Sequence, residues 1–179
     1  TGTGAAPVVA SLAIELGALT VAVVTKPFMV EGKKRMAQAE RGLTELRGCV
    51  DTIITIPNSK LREVEERITL MDAFRRADDI LLQAVQGITD LIITPGIINL
   101  DFADVKTVMR GRGVALMGIG TASGEDAASK AMRAALDYKL LEENSITGAK
   151  AALINVTGGE NMPLGEIEDA IGMIEEESD

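Results

Sequence analysis

Leu70-Met71-Asp72-Ala73-Phe74-Arg75-Arg76-Ala77-Asp78-Asp79-Ile80-Leu81-Leu82-Gln83-Ala84-Val85-Gln86-Gly87-Ile88-Thr89-Asp90-Leu91-Ile92-Ile93-Thr94 is the stretch on which the fold turns, and Pro95-Gly96 breaks it. Leu70, Phe74, Ala77, Leu81, Ala84, Ile88 and Leu91 recur every three or four residues, the period of a helix. A second apolar set, Ala73, Ile80, Val85 and Ile92, lies on other faces. A helix apolar on more than one side is ordinarily covered by two layers. The spacing therefore predicts a helix of about 24 residues, near 36 Å long at 1.5 Å per residue, acting as a spine between two domains.

Working outward, apolar periods alternate between helix-like and strand-like, the signature of α/β architecture. On the N-terminal side the Gly-rich Thr1-Gly2-Thr3-Gly4 reads as a loop, followed by a helix over Ala5–Leu16 ended by Gly17. Leu19–Thr25 is a β-branched apolar run that reads as a buried strand, stopped by Pro27. A helix over Gly32–Arg47 carries Met36, Ala39, Leu43 and Leu46 on one face and closes at Gly48; Thr52–Ile56 is the next strand, and Pro57-Asn58 a turn. Asn58 reads as a turn residue without a site role. Beyond the spine the pattern predicts a short helix over Phe102–Arg110, a strand over Val114–Ile119, a helix over Glu125–Leu136, a strand over Ala151–Val156 and a helix over Leu164–Glu176. The acidic finish Glu175-Glu176-Glu177-Ser178-Asp179 opposes the helix dipole, which favours cations at a C-terminus, and reads as a cut or frayed edge.

Composition narrows the chemistry. The 179 residues carry a net charge of −9 with three Phe, one Tyr and no Trp, which disfavours phosphate-backbone binding and base-stacking platforms, so no nucleic acid is expected. The absence of histidine excludes a His-based triad or a His metal site within the chain. The single cysteine, Cys49, forms no internal disulfide and reads as a small buried residue. No apolar run reaches the roughly 18–20 residues of a membrane span, so direct membrane insertion is not expected.

Several residue sets have both a bland and a chemical reading. Gly2 and Gly4 let backbone N–H groups approach an anion at a helix start, or they are an N-terminus with Thr3 as cap. A dinucleotide fingerprint fits poorly, because Pro7 stands where its third glycine belongs. Glu31 and Arg35, four apart, are a surface ion pair worth roughly 0–1 kcal/mol or part of a ligand site. Phe74 and Asp78 share one helix face: a core ring beside a solvated carboxylate, or a purine-stacking ring beside an acceptor for the guanine N1–H and 2-amino donors, which adenine lacks as a pair. Asp101 and Asp104 form a helix-start capping pattern, or two carboxylates able to share a water or a cation.

The motifs carry a resemblance. Thr1-Gly2-Thr3-Gly4-Ala5-Ala6-Pro7-Val8-Val9-Ala10 resembles the Gly-rich signature GGGTGTG of the tubulin/FtsZ family, less its three leading glycines. Gly17–Phe28, Pro95–Lys106, Leu116–Gly120 and Ile154–Gly159 are similar to the same family, so the likeness spans almost the whole chain. It departs at Ala127, where the family usually has Arg, and at Tyr138-Lys139-Leu140-Leu141, where many relatives have Ser-Pro-Leu-Leu. The resemblance implies an α/β, tubulin/FtsZ-like fold: the C-terminal part of a Rossmann-like GTPase domain over 1–69, a central helix over 70–94, and a partial α+β second domain with an acidic catalytic loop over 95–179. It implies a piece that begins inside the nucleotide motif and stops before its second domain is complete, expected to bind GTP weakly or not at all by itself. It further implies GTP or GDP held through Thr1, Gly2, Thr3, Gly4, Glu31, Arg35, Phe74 and Asp78, with Mg²⁺ on the phosphates. Asp101 and Asp104 would enter the GTP site of the next subunit and polarise the attacking water, which couples hydrolysis to head-to-tail assembly into a division ring. The expected setting is cytoplasmic, at the division site, with other cell-division proteins as partners. The competing expectations are a catalytically silent assembly or capping element, and a tubulin-like relative outside division.

Overall fold

The computed structural model describes residues 2–61, 67–111, 113–138, 149–159 and 161–178. Thr1, Lys139-Leu140-Leu141 and Asp179 lie outside the described residues. The chain divides into two compact units, Thr1–Ala115 and Leu116–Asp179.

The first unit is built on a parallel sheet of order β1-β2-β3, with β1 at Val21–Lys26, β2 at Thr52–Pro57 and β3 at Gly113–Ala115. Val21 aligns with Thr52 and Lys26 with Pro57, while Thr52 aligns with Gly113. Parallel neighbours require helical crossovers. α2 (Lys33–Arg47) lies between β1 and β2, α3 (Leu70–Ile93) and α4 (Phe102–Met109) lie between β2 and β3, and α1 (Gly2–Glu15) precedes β1. β2 is the central strand and is buried almost throughout, whereas β1 is only half-buried along its whole length. The expected burial of the first strand is thus corrected: β-branched composition is the same for an edge and a central strand, and among the described residues β1 has a partner on one side only.

Side chains alternate across the sheet. Ile53 packs with Ala10 of α1 and Leu43 and Leu46 of α2, joined by Ala22, Val24 and a half-buried Cys49. Thr52, one residue away, points to the other face, where its hydroxyl bonds the carbonyl of Met109 in α4. α1 ends as its glycine predicts: Gly17 has φ +77°, its N–H bonds the Ile14 carbonyl at 2.9 Å, and the Ala18 N–H reaches the Ala13 carbonyl at 3.1 Å. Its start differs from the sequence reading. Gly2, Thr3 and Gly4 are already helical, so the expected loop is the first turn of α1 and Thr3 is not its cap.

α3 has 24 residues, is capped by Thr69, whose Oγ1 accepts from the Asp72 N–H at 3.2 Å, and stops before Pro95. Its buried stripe is single: Ala73, Ala77, Ile80 and Ala84. The small side chains let the helix lie close to its neighbours, while Leu82, Val85 and Ile92 stay exposed. The two-sided burial expected of the spine is therefore not found among the described residues.

The expected strand over Val114–Ile119 forms only as Gly113–Ala115, and it joins the first unit by pairing with β2. The first unit runs through Ala115 and so includes residues 95–115, whereas the division expected from sequence fell after Thr94. In the second unit α5 (Ala127–Leu136) packs on α6 (Leu164–Ser178), and the Ala128 N–H donates to Glu166 Oε2 at 3.5 Å. Gly118 and Gly120 run directly against the Ala135 and Ala131 carbonyls of α5, where any Cβ would collide. The expected strand over Ala151–Val156 has no ladder partner among the described residues, so its apolar alternation does not become sheet.

Candidate functional site

A cleft of about 700 Å³ opens in the first unit, within the range of small-molecule sites. Four separate segments converge on it: the first turn of α1 (Gly2, Thr3), the loop after β1 with the start of α2 (Glu31, Arg35), the end of β2 (Asn58), and the first half of α3 (Phe74, Asp78). Of the nucleotide residues expected from sequence, Gly2, Thr3, Glu31, Arg35, Phe74 and Asp78 line this one cleft. Gly4 does not line it, and Thr1 is outside the described residues.

Contacts between these segments run in a chain. Glu31, only 14% exposed, accepts the Phe28 N–H through Oε1 at 2.9 Å and faces Arg35 Nε through Oε2 at 3.2 Å. Arg35 is 68% exposed, and its Nε is the atom used, which leaves the terminal nitrogens of the fork for another anion. Phe28 is buried and meets Phe74 edge to face, with centroids 5.1 Å apart and planes at 77°. Phe28 thus steadies the ring at the cleft, and the Glu31–Arg35 pair is held by more than the surface attraction its spacing suggested.

The α1 end of the cleft is polar by construction. The first N–H groups of a helix have no intrahelical partner, and the dipole favours negative charge there. Gly42 of α2 sits against the methyl of Thr3, so close that no Cβ fits at position 42 without displacing it. That approach sets the height of the first turn of α1 beside the cleft.

Asn58 is the residue that sequence reasoning missed. It is 4% exposed, lines the cleft, and its Oδ1 is buried without a hydrogen-bond partner among the described residues. A buried acceptor left unpaired is costly, and one facing a cleft fits a ligand that brings a donor. The only signal in the sequence was Asn at the C-terminal end of a strand in an α/β pattern, where ligands commonly bind.

Asp101 and Asp104 lie elsewhere in the unit, at the start of α4, and neither lines the cleft. Asp101 caps α4: its Oδ1 accepts the Ala103 N–H at 3.2 Å. Asp104 is in the first turn, and both are exposed. The preceding loop is clamped by Asn99, whose Oδ1 accepts the Gly96 N–H at 2.7 Å and whose Nδ2 donates to the Gly96 carbonyl at 3.0 Å. Between those two residues Ile97 and Ile98 are fully exposed. Among the described residues there is no group of three or more His, Cys, Asp or Glu side chains poised for a metal ion, and no helix long and apolar enough to cross a membrane.

Known proteins match this arrangement. The profile of the Tubulin/FtsZ family GTPase domain matches residues 1–66, and that of the FtsZ family C-terminal domain matches residues 113–179. The cell division protein FtsZ of Rickettsia felis is 56% identical over the whole chain. The chain belongs to the FtsZ family. It spans about 40% of the length of that FtsZ relative. A solved FtsZ dimer from M. jannaschii, described as empty, superposes with a TM-score of 0.94 at 46% identity, covering 100% of this chain and 52% of that one. CetZ1 from Haloferax volcanii, solved as a GDP-bound monomer, has a TM-score of 0.70 at 19% identity over 99% of this chain and 53% of its own, a likeness of fold. Phe74, Asp78, Asp101 and Asp104 fall between the two FtsZ-family profile matches, but inside the alignment to the R. felis FtsZ.

Proposed function

We propose that the chain supplies part of a guanine-nucleotide site and an acidic loop that completes the site of a neighbouring subunit, within a GTP-hydrolysing protein that assembles head to tail at the cytoplasmic division site. The observation that carries this reading is the convergence of Gly2, Thr3, Glu31, Arg35, Asn58, Phe74 and Asp78 on one cleft. In this reading Phe74 stacks on the purine and Asp78 accepts from the guanine N1–H and 2-amino group. The Asn58 amide oxygen takes a further donor from base or ribose. Arg35, oriented by Glu31, serves ribose or phosphate, and the first turn of α1 faces the phosphates. Mg²⁺, if bound with the nucleotide, takes its ligands chiefly from phosphate oxygens and water, as that ion usually does.

Asp101 and Asp104 supply carboxylates that orient and deprotonate water against the nucleotide of the next subunit. Their exposure, and that of Ile97 and Ile98 beside them, supports a role in contact with a second copy. A relative solved as a dimer agrees with self-association, and the head-to-tail form makes an interface that propagates rather than closes. Other division proteins are further expected partners.

The test is phosphate release by the full-length protein against its concentration, beside calorimetric titration with GTP and with ATP. The expected result is preference for GTP and a turnover per subunit that rises steeply above an assembly threshold. Turnover per subunit that stays constant with concentration overturns action in trans. The exposed acidic loop also fits a second reading, an assembly element that binds no nucleotide of its own, and absence of GTP binding in the same titration would select it.

A further inference from the structure

Thr52 is the first residue of the central strand and is 1% exposed. Its hydroxyl donates to the carbonyl of Met109, the last residue of α4, across 57 positions of sequence. That carbonyl belongs to the final turn of a helix, whose C=O groups have no partner within the helix. The Arg110 N–H takes the Lys106 carbonyl at 2.8 Å, and Thr52 takes Met109. The α4 side of the contact is also apolar: Val105 is completely buried and Met109 nearly so.

Among the described residues, the hydrogen bonds of the aspartates at the other end of α4 stay within that helix. Asp101 bonds the Ala103 N–H, within its own helix. The Asp104 N–H bonds the Asp101 carbonyl at 2.9 Å, again locally. α4 has eight residues, so its carboxylates lie about 8–12 Å along the axis from Met109 at 1.5 Å per residue. A pivot at Met109 therefore controls where they point. At its opposite end β2 runs into Asn58, on the cleft. One rigid strand thus touches both the nucleotide cleft and the helix that carries the acidic pair.

We propose that Thr52 is a positioning residue for hydrolysis: its hydroxyl, by holding the C-terminal carbonyl of α4, fixes the aim of Asp101 and Asp104 at the neighbouring subunit's nucleotide. This inference rests on the proposed action of those aspartates in trans. Thr52→Val keeps the shape and removes the donor. Loss of the pivot lets the lever swing, and misplacement near 1 Å is enough for a loss on the order of 10²-fold in rate.

The experiment uses the full-length protein. Thr52→Val is expected to lower kcat roughly 10- to 10²-fold, with GTP Kd and the polymer mass formed with a slowly hydrolysed GTP analogue both within about twofold of wild type. Thr52→Ser, which keeps the hydroxyl, restores kcat. Mixed with Asp104→Ala, Thr52→Val gains no turnover, because both lack a working loop; mixed with Asp78→Ala it gains turnover, because mixed junctions pair a sound loop with a sound cleft. A kcat for Thr52→Val within about twofold of wild type overturns the inference, as does a kcat loss matched by an equal loss of GTP affinity. If Thr52→Val does not fold, Thr52→Cys, with its weaker S–H donor, replaces it: a kcat below that of Thr52→Ser at unchanged Kd supports the role, and a kcat equal to it rejects the role. Wild-type protein that turns over GTP without complementation between Asp104→Ala and Asp78→Ala overturns the reading in trans, independently of Thr52.

Discussion

Two regions of the first unit carry acidic side chains at helix starts, and they use them differently. At the cleft Glu31 is sheltered, tied on one oxygen to a backbone N–H and on the other to Arg35, while Asn58 is buried with an acceptor that has no partner among the described residues. At the start of α4, Asp101 and Asp104 stand in solvent, their loop is satisfied within itself by Asn99, and two isoleucines project beside them. The first region is a cleft that holds one acceptor, Asn58 Oδ1, with no donor to it among the described residues. The second is exposed, and neither of its aspartates lines the cleft. In the proposed function the first is a receptor and the second an insert for a neighbouring subunit. The length of α3 agrees: from Asp78 to Thr94 is about 24 Å at 1.5 Å per residue, before the loop adds its own offset.

The largest effect should come from removing the insert's charge. Asp104→Ala in the full-length protein is expected to cut turnover by roughly 10²–10⁴-fold while GTP affinity, measured by calorimetry, stays nearly unchanged. Unaltered turnover would return Asp104 to a helix-start role. Asp101 sharpens the same point, because its capping bond is visible. Asp101→Asn keeps an N-cap acceptor, so thermal stability should hold within a few tenths of a kcal/mol while turnover falls. Stability and turnover declining together would mean that the cap alone explains the residue.

On the receptor side Asp78→Ala should weaken GTP binding by about 1–3 kcal/mol, the loss of charge-assisted hydrogen bonds, and narrow the preference over ATP. Discrimination that survives intact would remove Asp78 as the guanine reader. Asn58→Leu should act more mildly, weakening GTP by about 0.5–1.5 kcal/mol. Its telling feature is a sign. Asn58 Oδ1 has no bond to lose among the described residues, so the nucleotide-free protein should keep or gain melting temperature. A clear drop would show that Asn58 serves the fold instead.

How much of this was legible beforehand follows from the range of the interactions involved. The spine helix and its stop were legible because periodicity and Pro95 are local. Phe74 and Asp78 share a face of α3 for the same reason, since residues four apart on a helix are neighbours, whereas Glu31 meets Arg35 from the turn before α2. That both pairs meet in one cleft came only from the family resemblance, as no local rule brings Gly2, Glu31 and Phe74 together. Asn58 was read as a turn residue because nothing near it in sequence reveals that the end of β2 is buried. The half-burial of β1 was misread because edge and centre are properties of the whole sheet. The strand over Ala151–Val156 was expected from alternation, but a strand requires a partner, and none is paired to it among the described residues.

Gly42 has a consequence for how this site could be retuned. In the middle of a helix, replacing glycine by alanine ordinarily stabilises by roughly 0.5–1 kcal/mol. Here the added carbon would strike the Thr3 methyl at the first turn of α1, so the usual gain is opposed by a displacement at the end of the cleft proposed to face the phosphates. A single hydrogen atom acts as a spacer, and the series Gly, Ala, Ser at position 42 becomes a graded shim under the first turn of α1. Off-rates for GDP and GTP should respond to that shim before the melting temperature does, which gives a way to adjust nucleotide exchange without altering any residue that touches the base.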